Sequence, residues 1–292
     1  MDHRTGTGSA LLDADLALVS HLSRRRLPVH AGTIRAAADT QKWTTERVLE
    51  VRYWTPTLLS FRTSRDEGFR FTPGQYARLG LSTDGGIVWR PFSMVSAIAD
   101  DSLEFLAVLV PGGAFSGPLE RLRVGDAIDV ERSSFGFLTT AQLAAGRQLW
   151  MLATGTGIGP FVSIVRDAAV WRAFERLIVV HSVRRSAELA YREELDALAA
   201  DDTSARGRAR MTYLPVVTRE AGATALSTRI PELFADGHLE EAAGTPLRVE
   251  TSRLMICGNP AMALTLRQLL SKRGFATGRR GVTGQMAFEK YW

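Results

Sequence analysis

Between about residues 45 and 140, hydrophobic and polar positions alternate in short runs that Pro and Gly interrupt: "RVLEVRYWTP", "LLSFRTSR", "GQYARLGLS", "WRPFSMVSA", "LEFLAVLVP" and "GDAIDVERS". Six segments at this spacing predict strands of a small antiparallel barrel. After "AAGR" the period changes. "QLWMLA" reads as a buried strand, followed by a glycine loop and the helix pattern "PFVSIVRDAAVWRAF". "RLIVVHSV", "MTYLPVVTR" and "RLMICG" are further strands, each separated from the last by helical or loop sequence. The intervening "SAELAYREELDALAA" opens on Ser186 but has Leu189 three residues on, so it lacks a full capping box. The helix "NPAMALTLRQLLSKRG" is expected to stop at Gly274. Alternating strands and helices predict a parallel α/β sheet. The domains expected are a poorly ordered extension at 1–42, a barrel at 43–146 and an α/β domain at 147–292. No internal repeat is present.

A length of 292 residues is enough for about two domains with cores of their own. A single cysteine, Cys257, leaves no internal disulfide and too few ligands for an iron–sulfur cluster. Five scattered histidines with no metal-ligand spacing make a zinc site unexpected. No run approaches the roughly 18 apolar residues of a membrane span, so no membrane association is expected. The reducing cytoplasm is the compartment these features predict. In the extension, Arg24, Arg25 and Arg26 follow the apolar stretch, the reverse of a signal peptide's order. Asp13 and Asp15 do not suit an organelle transit peptide. The extension reads as a segment outside the catalytic core, or as the product of a start site placed too far upstream.

The net charge of +5 and pI near 9.8 favour an anionic ligand or an acidic partner. Arginine dominates the basic set, and its planar fork suits phosphate. Nucleic acid is not expected, since no basic run is interleaved with aromatics and no known nucleic-acid module appears. The loop "ATGTGIGP" at 153–160 lies between a strand and a helix, where backbone N–H groups and the helix start can face an anion. It is neither a Gly-x-Gly-x-x-Gly fingerprint nor a Walker sequence. Arg184, Arg219 and Arg229 stand at strand ends or a helix start in the α/β half, on the edge where parallel sheets bind ligands. With no acid ending the second strand, they suit a 2′-phosphate better than a ribose hydroxyl pair. In "RPFSMVSA", alternation points Arg90 and Phe92 one way and Ser93 the other. The final "FEKYW" allows two readings from the residues alone: a packed strand end, or a lid on a flat ligand.

Taken in order, Arg-x-aromatic-Ser, "VPGGAFSGPL", "GTGIGP" and "CGNP" resemble the ferredoxin–NADP⁺ reductase family over residues 43 to 292. The "YW" ending is similar to its bacterial branch. The resemblance implies an FAD-binding barrel followed by a Rossmann-like NADP-binding domain. It implies that Arg90, Pro91, Phe92, Ser93, Ala114, Phe115, Ser116, Thr156 and Trp292 bind FAD. Arg90 and Ser116 would hold the pyrophosphate, Phe92 would stack on the flavin, and Trp292 would cover the adenine. Phe92 stands where the family usually has Tyr, so the stacking is kept and a hydroxyl is lost. For NADP(H) it implies Gly155, Gly157, Val183, Arg184, Thr218, Arg219, Arg229, Met255, Ile256, Cys257, Gly258 and Asn259. Ser93, Cys257 and Glu289 take the catalytic positions: Ser93 near flavin N5, Cys257 shaping the hydride pocket and Glu289 relaying protons. Ala287 or Phe288 would border the flavin face that nicotinamide must reach. The implied activity is electron exchange between NADPH and ferredoxin or flavodoxin, with an acidic carrier and a monomeric enzyme. The alternatives are a stand-alone reductase serving an oxygenase ferredoxin, and a non-catalytic sensor binding FAD or NADPH.

Overall fold

The computed structural model describes residues 41–201, 207, 209–278 and 281–290. Nearly all of the expected extension, together with Tyr291 and Trp292, lies outside the described residues. The first half contains β1 (Trp43–Thr55), β2 (Leu58–Ser64), β3 (Tyr76–Thr83), β4 (Gly86–Ser93), β5 (Ser102–Val108), a short helix α1 (Ser116–Glu120) and β6 (Ala127–Glu131). These six strands are the six predicted from alternation. They form one sheet of order β4-β3-β6-β1-β2-β5, paired antiparallel. A bridge from Met94, just past β4, to Phe105 on β5 joins the two sheet edges and closes the barrel. Leu59, Phe61, Leu79, Leu103 and Phe105 fill its interior, all essentially fully buried. Each contributes about 1.5–3 kcal/mol by leaving water.

The second half runs β7 (Gln148–Thr154), α2 (Gly159–Arg166), α3 (Ala168–Ala173), β8 (Arg176–Val183), α4 (Arg192–Ala200) and β9 (Arg210–Val217). It continues through α5 (Ile230–Ala235), α6 (His238–Ala243), β10 (Ser252–Gly258), α7 (Pro260–Lys272) and β11 (Met286–Lys290). The sheet order is β11-β10-β7-β8-β9, with every pair parallel. The chain steps outward from β7 to β9, then returns to the other side of β7 with β10. That reversal between β7 and β10 is a topological switch point, where the loops leaving the strand ends diverge and open a cleft. Strands buried on both faces read as continuous apolar runs. Thus Leu149 and Met151 pack into one core layer, and Trp150 and Leu152 into the other.

Two predicted helices are broken. Asp167 interrupts "PFVSIVRDAAVWRAF" between α2 and α3, because its side chain caps the new helix by accepting from Ala169 N–H at 2.9 Å. "SAELAYREELDALAA" splits into a single 3₁₀ turn at Ser186–Glu188 and α4. Between them Tyr191 has φ 61°, the one left-handed non-glycine among the described residues. Such a backbone is uncommon for a bulky side chain and persists only where the surroundings enforce it.

The surroundings are the junction between the two sheets. Leu58, Val95, Leu106 and Leu138 of the barrel share a buried cluster with the α/β half. Across it, Arg166 of α2 donates to Glu104 of β5 at 2.8 Å and grips Glu194 of α4 with two bonds of 2.7 and 2.8 Å. Tyr191 completes the set: its hydroxyl donates to Glu104 at 2.9 Å, and its ring lies 5.1 Å from Trp54. Burial alone pushes the Glu104 carboxyl up. The charge and hydrogen bond of Arg166, with help from Tyr191 and Arg62, outweigh burial and hold it below the usual carboxylate range. Removing one member of a buried ion pair strands the other charge. Arg166→Ala is therefore expected to cost about 3 kcal/mol, read from the denaturation midpoint. Glu104 is depressed in the fold, so its contribution is present above the ordinary carboxyl pKa and is lost as pH falls through the folded value. The difference between wild type and variant should shrink accordingly in acid.

Candidate functional site

The switch point is built by two interlocked loops. Beyond β7, residues Gly155–Ile158 make a single 3₁₀ turn that leads straight into α2. A methyl group on Gly157 would sit 2.5 Å from the Cys257 carbonyl oxygen, and one on Gly258 would sit 2.3 Å from Thr154 Oγ1. Both glycines are needed so that backbone can lie against backbone. Thr154 Oγ1 also accepts from Asn259 N–H at 2.7 Å, and Asn259 Oδ1 caps α7 by accepting from Ala261 and Met262. Gly155 differs: its φ is +54° and a methyl group there would meet nothing. Its glycine serves conformation rather than space.

These loops form one wall of a cleft of about 1100 Å³ at the carboxyl ends of the strands. Gly155, Thr156, Val183, Thr218 and Asn259 line it, and Arg184, Arg219 and Arg229 reach it from three separate elements. The fold thus gathers three cations that are 35 and 10 residues apart in sequence. Arg184 is held by Glu188 through an ion pair of 3.2 Å, while Glu188 accepts from the Arg184 and Arg185 N–H groups. Arg219 N–H donates to the Arg184 carbonyl at 2.8 Å, which keeps the two arginines adjacent. Glycine-loop backbone opposite clustered arginines is a donor set for a polyanion with phosphates at both ends. Ser227 and Thr228 add hydroxyls that the sequence reading missed. Their signal was a polar pair directly before Arg229. Gly157, Met255, Ile256, Cys257 and Gly258 are not on this wall; they are buried beneath it. Thr156, placed on the flavin side by resemblance, lines this cleft.

Beside the cleft, strand register lines up one cross-sheet row: Glu289 on β11, Cys257 on β10, Ala153 on β7 and His181 on β8. Ala153 and Cys257 belong to the core layer that meets the barrel. Alternation puts Glu289 with Ala287 on that same face, while Phe288 packs into the opposite layer. Of the two tail residues singled out in the sequence, only Ala287 faces the barrel. Ser93 arrives from the barrel: it pairs with Tyr76, whose backbone exchanges two hydrogen bonds with Phe135. Next in chain, Gly136 has φ +102°, and a methyl group on it would stand 3.1 Å from the Tyr76 ring and 3.3 Å from Glu289 Oε1. Gly136 thus brings the Tyr76 ring, from the strand position paired with Ser93, beside Glu289, the cross-strand neighbour of Cys257.

The barrel side carries the remaining candidates. Phe92 is half-buried against Phe61 and Phe115, at ring distances of 6.4 and 5.2 Å. That contact brings β4 to the turn holding Ala114, Phe115 and Ser116. Ser116 Oγ accepts from Val110 N–H at 2.9 Å, leaving its O–H to donate elsewhere. Arg90 is exposed and donates to the neighbouring Trp89 carbonyl at 2.8 Å. A cation, a flat apolar platform and a hydroxyl on adjoining elements fit a flavin dinucleotide. Trp292 lies outside the described residues.

Residues 52–137 match the model of the oxidoreductase FAD-binding domain, and residues 151–268 match that of the oxidoreductase NAD-binding domain. Together they define the class, an FAD- and NADP-dependent oxidoreductase. Among curated relatives, ferredoxin–NADP reductase A of Sorangium cellulosum is 39% identical over 85% of this chain and 90% of its own. The flavodoxin/ferredoxin–NADP reductase of Escherichia coli K12 is 38% identical over 86% of this chain and 99% of its own. A crystal structure of a ferredoxin–NADP⁺ reductase from Neisseria gonorrhoeae, with bound FAD and NADP, superposes with a TM-score of 0.81 at 37% identity. It covers 86% of this chain and all of that one. The chain belongs to the ferredoxin–NADP reductase family.

Electrostatics at the junction follow burial. Glu289 Oε2 is buried with no hydrogen-bond partner, and desolvation pushes the carboxyl up to about 7. The folded value lies above the ordinary one, so the fold favours the protonated form. Ionised Glu289 destabilises the protein above the ordinary carboxyl pKa, fully so above pH 7. Glu289→Gln should match wild type near pH 4 and exceed it by up to about 3 kcal/mol at pH 8. Urea midpoints across that pH range check this; a constant difference would show that Glu289 titrates normally.

Proposed function

We propose that this protein exchanges electrons between NADP(H) and an acidic one-electron carrier, a ferredoxin or flavodoxin. One observation carries the reading. A cleft lined by a glycine loop and three arginines includes Asn259 in its wall, and two residues back on β10 Cys257 neighbours Glu289 of β11. Bound FAD supplies the conversion between two-electron nicotinamide chemistry and one-electron carrier chemistry. The chain supplies binding, orientation and a proton.

On the barrel, Arg90, Pro91 and Phe92 hold FAD with Ala114, Phe115 and Ser116, and Thr156 borders it from the loop. Phe92 provides apolar stacking surface, and Ser116 directs its O–H to phosphate. In the cleft, Arg184, Arg219 and Arg229 take the 2′-phosphate, while Gly155, Val183, Thr218 and Asn259 contact the rest of NADP. Gly157, Met255, Ile256 and Gly258 act from below by setting loop height. Cys257 keeps the hydride pocket small, since a larger side chain in the row would enter it. Ser93 donates toward the flavin edge, and Glu289, with a pKa near 7, gives or takes a proton at neutral pH. The net charge of +5 favours an acidic carrier. We assign residues 43–146 to the FAD domain and 147–292 to the NADP domain. A monomer in the cytoplasm suits a lone cysteine and this cofactor pair. Among the described residues no helix is long and apolar enough to cross a membrane.

The test is anaerobic reduction of the purified yellow protein by NADPH, followed by transfer to ferredoxin or flavodoxin. Bleaching of the flavin and a carrier rate that falls with rising salt are expected. A yellow protein inert to NADPH would refute the reading, and a flat salt response would refute the acidic-carrier part. Replacing Arg184 and Arg219 together by Gln should raise KM for NADPH about 100-fold and change KM for NADH little, from the loss of charge-assisted bonds. Equal losses with both coenzymes would remove the 2′-phosphate assignment.

A further inference from the structure

His181 has no role in the reading above, yet it is wholly buried in the row that contains Cys257 and Glu289, on the far side of Ala153 from Cys257. Its Nε2 lies 3.0 Å from the Gly155 carbonyl oxygen. A carbonyl can only accept, so Nε2 carries the proton and Nδ1 is the bare acceptor. Nδ1 is buried without a partner. An apolar residue would fill this place with no unmade bond, so the imidazole is there for the bond it does make.

That bond has a directional consequence. In a planar trans peptide, the carbonyl and the following N–H point opposite ways. His181 draws the Gly155 carbonyl inward toward the sheet, so the Thr156 N–H is turned outward, and both residues line the cleft. Gly155 sits at φ +54° with open space where a side chain would be. Glycine is the residue most free to rotate, so this peptide is held by its hydrogen bonds, those of the 3₁₀ turn and that of His181. A flipped peptide would aim carbonyl lone pairs at the anion.

We propose that His181 is a positioning residue that locks the Gly155–Thr156 peptide with its N–H facing the pyrophosphate of the nicotinamide dinucleotide. The proposal rests on the cleft being the NADP site. Burial drives the imidazole down to about 4 and keeps it neutral at working pH, with its bond to Gly155 and the charge of Glu188 opposing. Neutrality suits the single-donor arrangement.

The test measures binding to the FAD-loaded protein of two probes, NADP⁺ and adenosine 2′-monophosphate. The second carries the 2′-phosphate but no pyrophosphate. His181→Leu keeps the bulk without the donor, and His181→Gln places an amide N–H near the position of Nε2. The Leu variant should bind NADP⁺ about tenfold more weakly, the net worth of roughly one hydrogen bond. It should hold adenosine 2′-monophosphate within about twofold, and Gln should restore most of the NADP⁺ affinity. Unchanged NADP⁺ binding, equal loss of both probes, or no rescue by Gln would each overturn the proposal. Should the Leu variant lose FAD, His181→Asn, too short to reach Gly155, replaces it in the same comparison. Failure of the wild-type protein to bind adenosine 2′-monophosphate would instead overturn the assignment of the cleft.

Discussion

The closeness of two backbones at the switch point governs the rest of the site. The turn after β7 rests on the end of β10 with no room for a side chain at Gly157 or Gly258, where a methyl group would be 2.5 Å or less from a neighbouring atom. Because these loops touch, Thr154 can hold Asn259, Asn259 can cap α7, and Gly155 is left at the lip of the cleft. The same contact holds Cys257 level with Ala153 and Glu289. Cleft and junction are therefore set by one contact, and neither can be adjusted without the other.

Burial then divides the site into two electrical environments. The arginines of the cleft stand in solvent-accessible positions, where charge is inexpensive to keep and available to phosphate. At the junction, three buried titratable groups meet three outcomes. Glu104 stays ionised because Arg166 answers it. Glu289 has a buried oxygen with no partner and rises to about 7. His181 gives up its charge. The presence or absence of an opposite charge within bonding distance decides each case.

The barrel and α/β sheet also depend on each other mechanically. Arg166 ties α2, α4 and β5 together, and the left-handed Tyr191 exists because its hydroxyl and ring are held by Glu104 and Trp54. Strain at one residue is balanced by a network that joins both halves. A buried network of this kind contributes more to a single relative placement of the sheets than to raw stability.

Much of this was legible in the sequence. Two-residue alternation in the first half and apolar runs in the second identified ten of the eleven strands, because side-chain period and burial are local properties of a strand. Ordered short motifs pointed to Arg90, Phe92, the glycine loop, the three arginines and Cys257. The breaks at Asp167 and Tyr191 were not legible, since the helical pattern runs through both and long-range or side-chain bonds end the helices. Nor was His181, an isolated imidazole in an apolar strand whose partner is 26 residues away. Sequence by itself determined which segments could be strands or helices and which carried phosphate-binding chemistry, since both follow from nearest neighbours. Only tertiary structure decided the strand order, the Glu289–Cys257–His181 row and the sharing of one cleft by Arg184, Arg219 and Arg229. Those depend on which loop backbones can approach within contact distance, and no local pattern encodes that.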